Sequence, residues 1–199
     1  MSRREGKVSG ACKLYIVTSN RHKLEEASRI AKRYQVALEQ APITEKLEIQ
    51  SNSLEEIALH AARHAYKLTR LPLVVDDSGL FIDALEGFPG PYSSYVYKKI
   101  GYEGILKLLE GDKNRRACFK TVVALIWPPI EKIFLGETCG RISNEPRGEG
   151  GFGFDPIFVP DGHTKTYAEM SLEEKNRVSH RFKAFAKLGE WIKESKIRC

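Results

Sequence analysis

The chain has 199 residues, 42% of them hydrophobic and 29% charged; that is enough apolar material to bury a core, and it excludes a chain disordered throughout. No apolar run approaches the roughly 20 residues of a membrane helix, and "MSRREGKVSG" lacks the apolar segment of a secretory signal, so a cytosolic protein with no membrane partner is expected. The net charge is +6, but residues 1–13 hold +3 and residues 171–199 hold +4; the excess is read as a basic flexible tail over 1–13 and the outer face of a C-terminal helix, with no specific nucleic-acid surface.

After the tail, "KLYIVTS" predicts a short buried strand, and "KLEEASRIAKRY" predicts a helix with Leu24, Ala27, Ile30, Ala31 and Tyr34 at helical spacing. Between them, "TSNRHK" at 18–23 is a candidate phosphate cradle. Backbone N–H groups at a helix start favour an anion, Thr18, Ser19 and Asn20 can bond phosphate oxygens, and Lys23 adds positive charge. The plainer alternative is an Asn or Ser N-cap beside a surface lysine, because no G-x-x-x-x-G-K-[ST] pattern is present. Taken alone, Glu48 in "KLEIQS" is an ordinary surface acid.

A second helix is expected over "SLEEIALHAARHAYKL", opened by a capping box of Ser53 and Glu56. "LPLVV" then predicts a strand that "DDSG" stops. Two carboxylates at a strand end stand where open α/β sheets bind ligands, and such a carboxylate can hold a hard dication or deprotonate a water. Side chains alternate along a strand, so Asp76 and Asp77 should point apart and only one should serve a given site; the alternative is an Asp-Ser-Gly turn. "GFPGP" reads as loop and "SSYVYKKIGYEGILKLLEG" as a helix interrupted near Gly101.

"ACFKTVVALIW" and "EKIFLGETCGRIS" predict an antiparallel pair. Cys12, Cys118, Cys139 and Cys199 show no C-x-x-C spacing and are expected to be ordinary thiols. "NEPRGEGGFGFDP" is a glycine-rich loop and "IFV" a short strand. Within that loop Phe152 and Phe154 fit either a core or a surface on which a planar base stacks, and glycines at 148, 150, 151 and 153 let another body approach the backbone. A capping box of Ser171 and Glu174 opens the last helical region, whose buried stripe is Val178, Phe182, Phe185 and Ile192. Lys175, Asn176, Ser179, His180 and Arg181 lie on it, either as a solvated face or as polar groups that choose a ligand. Strands alternating with helices, followed by a hairpin, give an α/β or α+β fold with a mixed sheet and helices on its faces.

"TSNRHK", "LEIQ", "VDDSGLFIDALEGFPGPYSSYVY", "RGEGGFGFDPIF", "TYAEMSLEEKN" and "SHR" together resemble the successive motifs of the inosine triphosphate pyrophosphatase family, in particular its archaeal-type members, over about residues 14–193. The resemblance implies Mg²⁺-dependent hydrolysis of ITP, dITP and XTP to the monophosphate and pyrophosphate. It also implies a homodimer of elongated α/β subunits, each a twisted mixed sheet in two lobes around a central cleft, with 14–199 as one such domain. Thr18, Ser19, Asn20 and Lys23 would hold the triphosphate; Asp77 would be the catalytic carboxylate, as base, metal ligand or both, and Glu48 would share the metal. Ser78 would touch the substrate, Phe152, Gly153, Phe154 and Asp155 would wall the base and sugar, Lys175 would reach phosphate or base, and His180 with Arg181 would read the base. Two positions depart from the family pattern: Ile57 and Ala61 stand where many bacterial members carry Asn and Lys, and Leu47 replaces a proline that often precedes the metal-site Glu. The competing readings are a pyrophosphatase for pyrimidine or modified triphosphates, and a nucleic-acid-binding module built on the basic C-terminal helix.

Overall fold

The computed structural model describes residues 12–195. The tail expected over 1–13 lies outside them except for Cys12 and Lys13, which are already strand. In chain order the elements are β1 (Cys12–Ile16), α1 (Arg21–Arg33), β2 (Val36–Gln40), α2 (Leu54–Thr69), β3 (Leu73–Ile82), β4 (Pro89–Gly90), α3 (Ser93–Leu108), β5 (Arg116–Trp127), β6 (Ile130–Ile142), β7 (Phe158–Pro160), α4 (Leu172–Val178) and α5 (His180–Glu194). The seven strands form one mixed sheet in the order β2-β1-β3-β5-β6-β7, with β4 paired to β3. β1 runs parallel to β2 and β3, and the remaining pairings are antiparallel. This is the α/β architecture with a mixed sheet and flanking helices that the sequence predicts.

Alternation along β3 sorts the cores. Val74 packs with α1 and α5 around Leu14, Ile30 and Phe185, whereas Val75 packs on the opposite face against α2 around Ala58 and Ala62. Farther along, Leu80 and Ile82 join α3, Phe154, Phe158 and Tyr167 in a third core. Ile57 and Ala61 are buried under α2, so the helix offers the sheet methyl groups where a phosphate-binding lysine was already missing from the sequence.

Several expectations need correction. "DDSG" does not stop β3, which continues to Ile82 because β5 pairs with it along its whole length, from Leu73↔Ile126 to Ile82↔Ala117. β2 escapes sequence reading because it is an edge strand with only Val36 buried, so no apolar run marks it. β4 forms within the segment read as loop. Ser53 accepts from the N–H of Glu56, but the Glu56 carboxylate is taken by the Ser51 hydroxyl at 2.7 Å, so that cap works in one direction only. The Ser171–Glu174 box is complete, and α3 breaks at Gly101 as expected. The last helical region is two helices split at Ser179, which caps α5. Cys118 and Cys139 are not ordinary thiols: they face each other across the β5–β6 register and form a disulfide.

Candidate active site

Segments distant along the chain meet at the sheet to build the site. β1 ends and α1 begins through Thr18–Asn20, where the Asn20 side chain caps the helix by accepting from the N–H of Lys23 at 3.2 Å, and the Thr18 hydroxyl accepts from the N–H of Asn20 at 3.1 Å. Asn20 is therefore an N-cap, but Lys23 is not a surface lysine, its side chain being only 15% exposed and paired with Asp76, and the helix start opens on a hollow. That hollow, of about 510 Å³, is bordered by Thr18, Ser19, Asn20 and Lys23 from this turn, by Asp77 and Ser78 from β3, and by Glu48. Phe152 to Asp155 border it as well, and so do Lys175, His180 and Arg181 from α4 and α5. Every residue that the family resemblance assigned to the site borders this one space, whereas Asp76, Asn176 and Ser179 do not.

Asp76 and Asp77 point apart as alternation requires, with different partners. Asp76 is fully buried and its Oδ2 accepts from Arg181 Nε at 3.2 Å, with Lys23 Nζ at 3.4 Å. Burial pushes this carboxyl up, but Lys23, Arg181 and Lys46 outweigh it and hold it at about 2. Asp77 instead meets Lys46, whose ammonium lies 3.3 Å from Oδ1. Burial raises Asp77 above the usual carboxylate range despite Lys46 and Lys23.

Lys175 and Arg181, which composition would place on a solvated helix face, are buried among acids. Lys175 Nζ donates to Asp155 Oδ2 at 2.7 Å and to Glu26 Oε1 at 2.9 Å; Arg181 donates through Nη1 to Glu26 Oε2 and through Nη2 to the Ser78 hydroxyl at 3.1 Å. Burial pushes Glu26 up, and Arg181 and Lys175 reverse it, leaving the acid below its ordinary value. Burial keeps His180 neutral well below the usual imidazole range, with the charges of Arg181 and Lys175 acting in the same direction. Two cations of this region, Lys175 on α4 and Arg181 on α5, are therefore internal, whereas Arg177, Lys183, Lys187 and Lys193 stay exposed.

At the other end of the hollow the two phenylalanines separate in role. Phe154 is 3% exposed and packs edge-on against Tyr97, so its ring is core. Phe152 stacks on His22 with centroids 5.3 Å apart, and Lys175 Nζ lies 4.8 Å from its ring centre. Gly151 makes the turn into Phe152 possible: its φ is +72°, and a Cβ there would fall on the Asp155 carboxylate that receives the N–H of Phe152, while Gly153 between the two rings also has a positive φ, +62°. Behind this wall Phe119 stacks on His180 at 4.7 Å.

Glu48 and Asp77 are the carboxylates on the hollow that could hold a metal. Lys46 Nζ stands 2.8 Å from Glu48 Oε1 and 3.3 Å from Asp77 Oδ1, so one cation can touch both carboxylates. Two hard oxygen acids on an open hollow suit a dication that takes its remaining ligands from water and phosphate. Among the described residues, Cys118, Glu137 and Cys139 are the other cluster near enough to share an ion, but the disulfide has consumed both thiolates.

A profile of the Ham1 family matches residues 14–191. The chain belongs to the Ham1 family. It is 51% identical over 183 residues to a dITP/XTP pyrophosphatase of Thermococcus kodakarensis, covering 92% of this chain and 98% of that protein. A second dITP/XTP pyrophosphatase, from Saccharolobus solfataricus, is 53% identical over 180 residues, covering 90% and 93%. Among solved structures, a HAM1 protein from Coxiella burnetii superposes with a TM-score of 0.81 at 34% identity, over 92% of this chain and 99% of that one. In this Ham1 chain the sequence motifs led to the edges of the hollow but missed Glu26 and Lys46. Glu26 carried a signal: it sits four residues before Ile30, on the apolar stripe of α1, where a charge has no place unless paired. Lys46 carried none beyond its nearness to Glu48.

Proposed function

We propose that this Ham1 protein hydrolyses purine nucleoside triphosphates with non-standard bases, namely ITP, dITP and XTP, to the monophosphate and pyrophosphate, and so clears them from the nucleotide pool. One observation carries the reading: a single hollow has a helix N-terminus with Lys23 at one part, the carboxylates of Asp77 and Glu48 beside it, and an aromatic wall with buried cations at another. The dITP/XTP pyrophosphatase activity of the two archaeal relatives, each about half identical over nearly the whole chain, supports it.

The N–H groups at the start of α1, with Ser19, Asn20 and Lys23, bind the phosphate chain. A water held at Asp77 attacks the α-phosphorus; its proton passes to the Asp77 carboxylate, and the bond from the α-phosphorus to the α–β bridging oxygen breaks, leaving its electron pair on pyrophosphate. Burial raises Asp77 in the direction a general base needs. Glu48 and Asp77 would hold Mg²⁺, which when bound neutralises charge on the phosphate oxygens and the leaving pyrophosphate. Phe152 offers a face to the base, Gly153 and Asp155 complete the wall, and Lys175 stands between base and phosphate. His180 and Arg181 read the 6-oxo edge; adenine presents an amino donor there and leaves buried donors unpaired. The α1–α2 side and the α3 side act as two lobes of an elongated subunit, and the subunit pairs with a second copy.

The test is an assay of ITP, dITP, XTP, GTP and ATP with and without Mg²⁺, reading pyrophosphate against phosphate. The expected result is pyrophosphate release from the first three only, dependent on metal. Asp77→Asn should stop turnover while far-UV and near-UV circular dichroism stay unchanged; near-normal turnover would remove Asp77 from the reaction.

A further inference from the structure

We propose that Lys46 is a resident cation of the carboxylate pair: without nucleotide its ammonium occupies the place of the divalent metal between Glu48 and Asp77, and it moves onto the phosphate chain when a metal–triphosphate complex enters. The proposal rests on the metal reading of Glu48 and Asp77 given above.

Three oxygens surround the Lys46 ammonium, namely Glu48 Oε1 at 2.8 Å, Asp77 Oδ1 at 3.3 Å and the backbone carbonyl of Asp76 at 3.2 Å. Two carboxylates and a carbonyl are the donor types a hard dication selects. The same oxygens cannot serve both at once, because an ammonium and a dication a few ångströms apart repel each other strongly at the edge of a protein. Lys46 also has somewhere to go. It borders the hollow, and it springs from residues 41–53, which form no helix or strand. α2 presents Ile57 and Ala61 to the core and gives the hollow no cation, so the phosphate end has a position for a second lysine beside Lys23. Lys23 shares its charge with Asp76, 3.4 Å away, so a second lysine adds to what it offers the phosphates.

The consequence is that bare metal binds poorly and metal complexed to nucleotide binds well. The experiment is Mn²⁺ binding to the nucleotide-free full chain, followed by electron paramagnetic resonance, for wild type, Lys46→Met, Lys98→Met and Asp77→Asn. Lys98 borders the same hollow without touching either carboxylate, and so reports the general loss of one positive charge. Lys46→Met is expected to bind Mn²⁺ about tenfold or more tightly than wild type, Lys98→Met within about twofold of it, and Asp77→Asn hardly at all. In the same variant KM for ITP should rise, because the phosphates lose a cation. Equal Mn²⁺ affinity in wild type and Lys46→Met overturns the proposal and leaves the metal site standing. Equal gains in Lys46→Met and Lys98→Met reduce it to a field effect and overturn it as well. No Mn²⁺ binding by any form overturns both this proposal and the metal site, while the triphosphate panel still judges the activity separately. Lys46→Gln gives the same readout if the methionine variant does not fold.

Discussion

Glu26 holds the two cations nearest the aromatic wall, although it does not itself border the hollow. Its carboxylate is shared between Lys175 and Arg181, and all three side chains are buried. Removing one member of a buried ion group leaves the others uncompensated, at a cost of about 3–5 kcal/mol. Glu26→Ala should lose stability of that order in urea unfolding. Its kcat/KM preference for ITP over ATP should also shrink, since Arg181 is no longer fixed; an unchanged preference would limit Glu26 to a structural role. His180 makes a second residue-scale prediction. Its folded pKa is depressed, so below the unfolded value of about 6.5 the unfolded chain binds a proton that the folded chain refuses. The stability His180 allows at neutral pH is therefore lost as pH falls through that value, by about 1.4 kcal/mol per pH unit. Between pH 7 and pH 5, wild type should lose more stability than His180→Gln in denaturant titrations. Equal losses would show that His180 titrates in the folded protein as freely as in the unfolded one.

Where α5 crosses β6, its register decides whether His180 and Arg181 reach the site. At Gly136 on β6, a Cβ would lie 2.0 Å from the carbonyl oxygen of His180 and 2.5 Å from the amide nitrogen of Ala184, both main-chain atoms that cannot swing aside. Gly136→Ala should therefore push the first turn of α5 outward. The expected loss is about 1–3 kcal/mol of stability, together with a rise in KM for ITP larger than the change in kcat, measured side by side with wild type. Elements of this kind were legible in the sequence where one local signal sufficed. The stripe of α1, the caps at Ser53 and Ser171, the β5–β6 hairpin and the break at Gly101 all follow from periodicity, cap chemistry or a single glycine. What was not legible depends on partners distant in the chain. β3 runs through "DDSG" because β5 pairs with it, β2 exists because β1 lies beside it, and Cys118 meets Cys139 only through the strand register. Local turn propensity at Asp-Ser-Gly loses to a continuous ladder of hydrogen bonds.

At the scale of the whole molecule, the motifs located the hollow because each supplies one edge of it, yet none of them could say that Lys175 and Arg181 are inside. Charge alone places a helical lysine or arginine in solvent; only the fold brings Glu26, Asp76 and Asp155 around them. The reverse mismatch marks the outer surface of α3, where Tyr95 is 64% exposed, Leu108 52% and Ile100 43%, with Tyr92 beside them. Large apolar side chains gathered on one exposed helix are covered at a cost in solubility or by a partner. The neighbouring Tyr97 and Lys98 of α3 border the hollow, so whatever covers this helix also stiffens one side of the site. A second copy of the chain is the occupant proposed here, in line with the homodimer that the sequence motifs imply. Tyr95→Glu places a charge at the most exposed of these side chains. Light scattering after size exclusion should give a dimer mass for wild type and a monomer mass for the variant, whose KM for ITP should rise as α3 loosens. A wild-type monomer, or a variant of unchanged mass, would leave α3 uncovered by this chain and make its exposed tyrosines a surface for something else.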